Sequence, residues 1–277
     1  MKIKIGIIQS SFSNNSDENN QKVINYIEQA HKLGAHIVLP PELYLTSYFC
    51  KTQDENNFSY ALDLDNKYLR AIRAAAQAYK IVIPWSFFEK SGPHYFNSVL
   101  MIDADGTKLG LYRKSHIPDG PGYQEKFYFR PGNTGFKVFK TRFGSLGVGI
   151  CWDQWFPEAA RSMVLQGAEV LLYPTAIGSE PHASWLSTKE PWQRVMKGHA
   201  VANMVPVVAA NRIGTEGGQT FYGSSFICDE FGHEITNMAE EEGLRVVEVD
   251  KEKAARHRAS FGFFRDRRID LYKDLLK

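Results

Sequence analysis

LGVGICWDQWFPEAAR, residues 146–161, changes character within a few residues. Small and apolar residues stop at Cys151, two tryptophans and Asp153 follow, and from Pro157 the pattern is helical, with proline at the first helical position, where its fixed φ is already suitable. A buried strand passing through a sharp turn into a helix is the repeating unit of an α/β fold. Side chains just past such strand ends are where open sheets present their ligands.

The same unit recurs outward in both directions. KIKIGIIQ (2–9) reads as a buried strand, and Asp17 opens a helix with Val23, Ile27, Ala30 and Leu33 on one face, ended by Gly34. AHIVLP is the next strand, and a second helix carries Leu69, Ile72, Ala76 and Tyr79. KIVIPWSFFE, YFNSVLMID and TKLGLYRK follow as strands, the latter two forming a hairpin around Ala104, Asp105, Gly106 and Thr107. Residues 119–134, rich in glycine, proline and aromatics, read as a functional loop. Strands FKVFKT and FGSLGVGI, a helix over Pro157 to Gln166, strand EVLLYP and a helix opened near Pro191, with Val195, His199 and Asn203 on one stripe, come next. VPVVAAN, TFYGSSFIC and LRVVEVD complete the strands, and no linker of domain size interrupts them. One internal echo stands out: LGAHIVLPPE (33–42) and QGAEVLLYPT (166–175) each pass from a helix end through Gly-Ala and an apolar strand to proline. Glu42 and Thr175 then occupy equivalent places beyond a strand, although any two αβ units share some likeness over so short a stretch.

The 277 residues include 43% hydrophobic ones, enough for one large core, and no apolar run is long enough to span a membrane. Thirty-three basic and thirty-one acidic side chains leave a net charge of +2, so no overall field draws the chain to nucleic acid or anionic lipid. A small molecule is the expected partner. MKIKIGIIQS lacks the features of a signal or transit peptide, which predicts a cytoplasmic protein. Three widely spaced cysteines, Cys50, Cys151 and Cys228, do not make a disulfide framework, and the eight histidines show no metal-ligand spacing, so no metal is expected.

Four polar residues share one topological address: Glu42 follows HIVLPP, Lys114 ends TKLGLYR, Cys151 ends SLGVGI, and Thr175 ends EVLLYP. Alone, each has a plainer explanation: a core cysteine, a helix-capping glutamate, a solvated lysine. Together at strand ends they suit nucleophilic attack on a carbonyl carbon. A thiol titrating near 8.5 needs a base to take its proton or a cation to hold the thiolate, and Glu42 and Lys114 supply these. The oxyanion that attack creates needs donors already in place, for which the Lys114 ammonium and the Trp152 backbone N–H, near a helix start, are available.

These residues, in LPPELY (Glu42), YRKSHIP (Lys114) and GICWDQWFPEAAR (Cys151), resemble the Glu-Lys-Cys triad of the nitrilase superfamily of carbon–nitrogen hydrolases, and the resemblance runs from KIGIIQ to VVEVD. It implies an α/β four-layer αββα sandwich of two mixed β-sheets, nitrilase-like, with no metal or organic cofactor. It also implies a second glutamate, Glu125 in GPGYQEKFYF, that positions substrate or lysine. Residues 1–260 would form the hydrolase domain. Residues 261–277, whose FGFFRDRRIDLY interleaves aromatics with Arg265, Arg267 and Arg268, would be an arm in subunit contact within a homo-oligomer built from dimers.

Within the superfamily, SYFC (47–50), DGPGYQEKFYFRPGNTGF, CWDQWFPEAAR and LLYPTAIGSEP are similar to members that hydrolyse the ureido group of N-carbamoylputrescine to putrescine, carbon dioxide and ammonia, a reaction of polyamine synthesis. A carbamoylase for amino acids or β-alanine and a simple aliphatic amidase are the alternatives inside the family, and a redox-sensing or binding subunit the alternative outside it. A substrate with a distal ammonium needs a carboxylate in a desolvated pocket, and Glu180 is the candidate. Tyr48, Tyr123 and Trp152 are expected to line the channel, with Thr175 at its rim, His116 and Asp153 within reach, and Cys50 and Cys228 in packing.

Overall fold

The computed structural model describes residues 2–277. In chain order the elements are β1 (Lys2–Gln9), α1 (Ser16–Lys32), β2 (Ile37–Leu39), α2 (Lys67–Tyr79), β3 (Ile83–Ser91), β4 (His94–Ile102), β5 (Lys108–Arg113), β6 (Lys137–Thr141), β7 (Gly144–Val148), α3 (Pro157–Leu165), β8 (Val170–Pro174), α4 (Lys189–Asn203), β9 (Val207–Ala210), β10 (Ile213–Glu216), β11 (Gln219–Tyr222), β12 (Phe226–Cys228), β13 (Glu234–Asn237), β14 (Gly243–Asp250) and α5 (Lys251–Phe261). Local chemistry sets the ends. Asn15 caps α1 by accepting the N–H groups of Asp17 and Glu18, and two prolines stop β2 after three residues.

The strands form two mixed sheets. One has the order β13-β12-β9-β8-β7-β6. The other combines β14-β1-β2 and β3-β4-β5, joined where Ile37 and Val82 bridge in parallel. Along β14-β1-β2-β3-β4-β5 the pairings run antiparallel, parallel, parallel, antiparallel, antiparallel, and the same series runs from β6 to β13. β2 and β8 therefore occupy equivalent places, and the echo between residues 33–42 and 166–175 records two halves of one architecture.

Three apolar layers hold the sheets and helices together. Ile5, Ile7, Leu39 and Met101 of one sheet meet Leu146, Val148, Leu172 and Val208 of the other in the central core. Val23 and Ile27 of α1 and Leu69 and Ile72 of α2 cover the outer face of the first sheet. Met163 of α3 and Trp192 and Met196 of α4 cover that of the second. The result is helix, sheet, sheet, helix, as expected. Each burial removes apolar surface from water at about 25 cal/mol per Å².

The structure divides one expected strand and adds two, β10 and β13. TFYGSSFIC is two strands, β11 and β12, because Gly223 and Ser224 both adopt positive φ (60° and 58°) and turn the chain between them. β10 and β11 form a hairpin outside both sheets. That hairpin, β13 and α5 carry no strong periodic pattern. No helix among the described residues is long and apolar enough to cross a membrane.

The small residues of β7 are required by close packing. A Cβ on Gly147 would stand 2.9 Å from Leu171 Cδ2 and 3.1 Å from the Cβ atoms of Ala168 and Met163. Gly147→Val is expected to force α3 away from the sheet and to destabilise the protein by about 1–3 kcal/mol, measured by urea unfolding.

Candidate active site

The site is assembled from strand ends. Past the prolines that close β2, Glu42 is fully buried, and Leu43 turns the chain with φ at 51° while its N–H donates to Ser86 Oγ at 3.0 Å. Glu42 Oε1 accepts from Asn97 Nδ2 at 2.6 Å and from Lys114 Nζ at 2.9 Å, whereas Oε2 has no partner among the described residues. Lys114 leaves β5 with its N–H donating to the Asn97 carbonyl and its own carbonyl accepting from the Gly132 N–H, both at 2.8 Å. Only glycine fits at 132, since a Cβ would lie 2.1 Å from the Arg113 carbonyl oxygen. Lys114 Nζ also donates to Glu125 Oε2 at 2.7 Å, and Glu125 Oε1 accepts the Tyr48 hydroxyl at 2.8 Å.

Cys151 opens a short 3-10 turn, Cys151–Trp155, with φ at 42°, a conformation that a side chain adopts only when its surroundings impose it. The restraint is Asp153. Its carboxylate accepts the Ile150 N–H at 2.9 Å, the Tyr112 hydroxyl at 2.6 Å and the His116 N–H at 3.0 Å, and lies 2.7 Å from His116 Nδ1. Gly149 lets the strand pass beside Tyr173, whose ring would stand 2.8 Å from a Cβ. Cys151 Sγ is 3.8 Å from the Ala176 carbonyl oxygen. The α-helix proper begins only at Pro157, so the turn, and not an α-helical dipole, faces the sulfur.

One buried ammonium shares this volume with two carboxyl groups and a thiol. Burial pushes the Cys151 thiol well above its usual range and Glu42 pushes it further, with Lys114 opposing. Burial acts to lower Lys114, but Glu125 and Glu42 outweigh it and hold the ammonium well above its ordinary value. Glu125 is raised by burial, against the pull of Lys114 and with the push of Glu42. The resting thiol is therefore protonated beside a charged lysine.

Cys151, Glu125, Tyr123, Trp152 and Glu180 line one cavity of about 430 Å³, together with Asp119 and His182. The Tyr123 hydroxyl accepts from the Gly178 N–H at 2.9 Å and from Gln219 Nε2 at 2.8 Å, fixing that wall. Burial raises the Glu180 carboxyl, with His182 opposing. Tyr48 and Thr175 are off this wall: Tyr48 is fully buried behind Glu125, and the Thr175 hydroxyl lies 3.2 Å from Gln154 Oε1 and 3.1 Å from the Tyr173 carbonyl. Asp153 is also turned away, spent on the turn, and His116 stacks on Phe156 at 3.7 Å. Asn97, Asp119 and His182 were not singled out in the sequence. Asn97 alone had a signal there, as an amide in the apolar run YFNSVLMID. Among the described residues no three His, Cys, Asp or Glu side chains converge as metal ligands.

Residues 4–259 match the carbon-nitrogen hydrolase family. The chain is 52% identical to an N-carbamoylputrescine amidase of Oryza sativa subsp. japonica, over 99% of this chain and 95% of that protein. It is 50% identical to a citrullinase of Francisella tularensis, over 99% and 98%. The crystal structure of a carbon-nitrogen hydrolase from Helicobacter pylori G27 superposes with a TM-score of 0.93 at 38% identity, covering 100% of this chain and 99% of that one. With two mixed sheets between helices and a cysteine buried against glutamate and lysine, the chain belongs to the carbon-nitrogen hydrolase family and is a cysteine-dependent enzyme of it.

Proposed function

We propose that the enzyme hydrolyses N-carbamoylputrescine to putrescine, carbon dioxide and ammonia, with Cys151 as nucleophile, Glu42 as general base and acid, and Lys114 as electrostatic partner. The observation that carries the substrate is the sign of the cavity. Beyond Glu125, its wall bears Asp119 and Glu180 and neither Lys nor Arg. A desolvated ammonium gains charge-assisted bonds there, and a carboxylate would meet like charge. Tyr123, Trp152 and Trp155 give the apolar walls that suit a tetramethylene chain.

Because the thiol is neutral at rest, proton transfer and attack go together. Asn97 and Lys114 both occupy Glu42 Oε1, which leaves Oε2 to take the Cys151 proton as sulfur adds to the ureido carbon. Two of the three Lys114 N–H bonds are spent on Glu42 and Glu125, so the third, with the Trp152 backbone N–H, stabilises the oxyanion. Glu42 returns the proton to the leaving nitrogen, which departs as the carbonyl reforms. It then takes a proton from the water that cleaves the thiocarbamoyl enzyme and returns it to the departing Cys151 sulfur, and the carbamate released breaks down to carbon dioxide and the remaining nitrogen product. Glu125 keeps Lys114 in place, Tyr48 supports Glu125, and Glu180 receives the distal ammonium.

The citrullinase likeness supports a second reading with the same chemistry on a substrate bearing an α-amino acid end. His182 is the one basic side chain on the wall that could meet its carboxylate, against Asp119 and Glu180. That balance favours the diamine. Three free buried cysteines accord with a reducing compartment, and we place the enzyme in the cytoplasm.

For assembly we propose a homo-oligomer built from dimers, with residues 261–277 in subunit contact. A groove of about 810 Å³ between Arg161, His199, Phe263 and Tyr272, and an arm whose Ile269, Leu271, Leu275 and Leu276 are 64–90% exposed, support this.

Ammonia and putrescine release should be selective for N-carbamoylputrescine over citrulline, N-carbamoyl-β-alanine and an aliphatic amide, and absent in Cys151→Ala; turnover in that variant would sink the scheme. Since burial raises the Glu180 carboxyl, it protonates at higher pH than an exposed glutamate. KM for the cationic substrate should therefore rise early as pH falls, while Glu180→Gln shows a KM at least about tenfold higher and flat with acid, one lost charge-assisted bond being worth roughly 1.5–3 kcal/mol. Light scattering at micromolar concentration should give a mass of at least two chains.

A further inference from the structure

We propose that the buried Arg212–Glu216 ion pair is the positioning element of both active-site glutamates, an inference that rests on the roles given above to Glu42 and Glu125. Arg212 follows β9 of the second sheet and is fully buried. Its Nε donates to the Glu42 carbonyl at 3.1 Å, and Nη2 donates to the carbonyls of Glu42 at 3.0 Å and Leu43 at 2.6 Å. Nη1 donates to the Thr46 carbonyl at 3.0 Å and to Glu216 Oε1 and Oε2 at 3.1 and 3.0 Å. All five N–H bonds of the guanidinium are used, three of them on the two residues where the chain turns after β2.

The far end of the pair grips the other glutamate's support. Glu216 Oε2 accepts the Tyr48 N–H at 2.6 Å, and the hydroxyl of Tyr48 is the bond that Glu125 Oε1 receives. Glu216 Oε1 also accepts the Phe12 N–H at 3.4 Å. The segment 42–48 has no sheet partner of its own, so its inward carbonyls need donors, and one side chain from the opposite sheet provides them. The β10–β11 hairpin that carries Glu216 extends the hold to the substrate wall, where Gln219 Nε2 donates to Tyr123 Oη at 2.8 Å and to the Ser179 carbonyl at 2.7 Å.

A pair so deeply buried is a weak source of stability, because removing both charges from water offsets their attraction. An apolar pair of similar volume often leaves the fold as stable or more so. Placement of Glu42 and Tyr48 is what an apolar pair cannot reproduce.

The test uses two variants of the full chain. Arg212→Lys keeps the charge for Glu216 but cannot reach three carbonyls and a carboxylate from a single nitrogen. The double variant Arg212→Met with Glu216→Leu removes the charges together. Activity is expressed per folded enzyme, taken from the fraction that elutes at the parent's size and keeps the parent's near-UV circular dichroism, so that a loss of folded enzyme does not count as a loss of rate. In both variants kcat should fall about a hundredfold, the scale expected for a displacement near 1 Å, with KM changed less than about threefold. The double variant should melt below the parent temperature, because the Glu42, Leu43 and Thr46 carbonyls lose their donor and the Tyr48 N–H its acceptor, which is why rate is counted only on folded enzyme. A folded Arg212→Lys or double variant that keeps kcat within about threefold overturns the proposal, and if the double variant fails to fold, Arg212→Lys decides it. Cys151→Ala is run beside them: turnover there overturns the triad itself, whereas an inactive Cys151→Ala beside a fully active Arg212→Lys overturns only the role of the ion pair.

Discussion

A single ammonium buried between two carboxyl groups governs this molecule's active region. Lys114 reaches Glu42 at 2.9 Å and Glu125 at 2.7 Å with all three side chains buried. Such a cluster costs free energy to desolvate and persists only when its bonds are well made. The neighbours follow from that need: Asn97 completes Glu42 Oε1, Tyr48 completes Glu125 Oε1, and Gly132 lets the chain close over the Lys114 carbonyl. Burial, with the Glu42 carboxyl adding to it and Lys114 opposing, pushes the adjacent Cys151 thiol well above its usual range.

The position of the cluster follows from the duplicated sheets. Each half ends its parallel strands at a common rim, and the two rims meet where Glu42 leaves β2 and Cys151 leaves β7. Neither half holds a complete site. Arg212 crosses from the second sheet to the chain beyond β2, and Asp153 reaches Tyr112 at the end of β5. The positive φ at Cys151 is sustained by bonds from both halves, since Asp153 holds Ile150 in its own half and Tyr112 and His116 in the other.

Much of this was legible in the chain. The strand-turn-helix units, the likeness of residues 33–42 to 166–175, and the placing of Glu42, Lys114 and Cys151 at strand ends follow from hydrophobic periodicity and from proline and glycine punctuation, which are local properties. Asn97 left a local trace as well, a polar side chain in an otherwise apolar strand. TFYGSSFIC shows the limit: its β-forming residues read as one strand, and the positive φ of Ser224, imposed by tertiary packing, divides it.

What the sequence determined by itself was the order of elements and the chemical types at their ends, because burial pattern and turn chemistry act over a few residues. Which of those types meet depends on how the two sheets pack. That packing turned Tyr48, Thr175 and Asp153 away from the cavity, brought in Asp119 and His182, and set Arg212 beneath Glu42 across 170 residues of chain. A bond between residues so far apart depends on how two sheets pack, and no window of sequence contains that information.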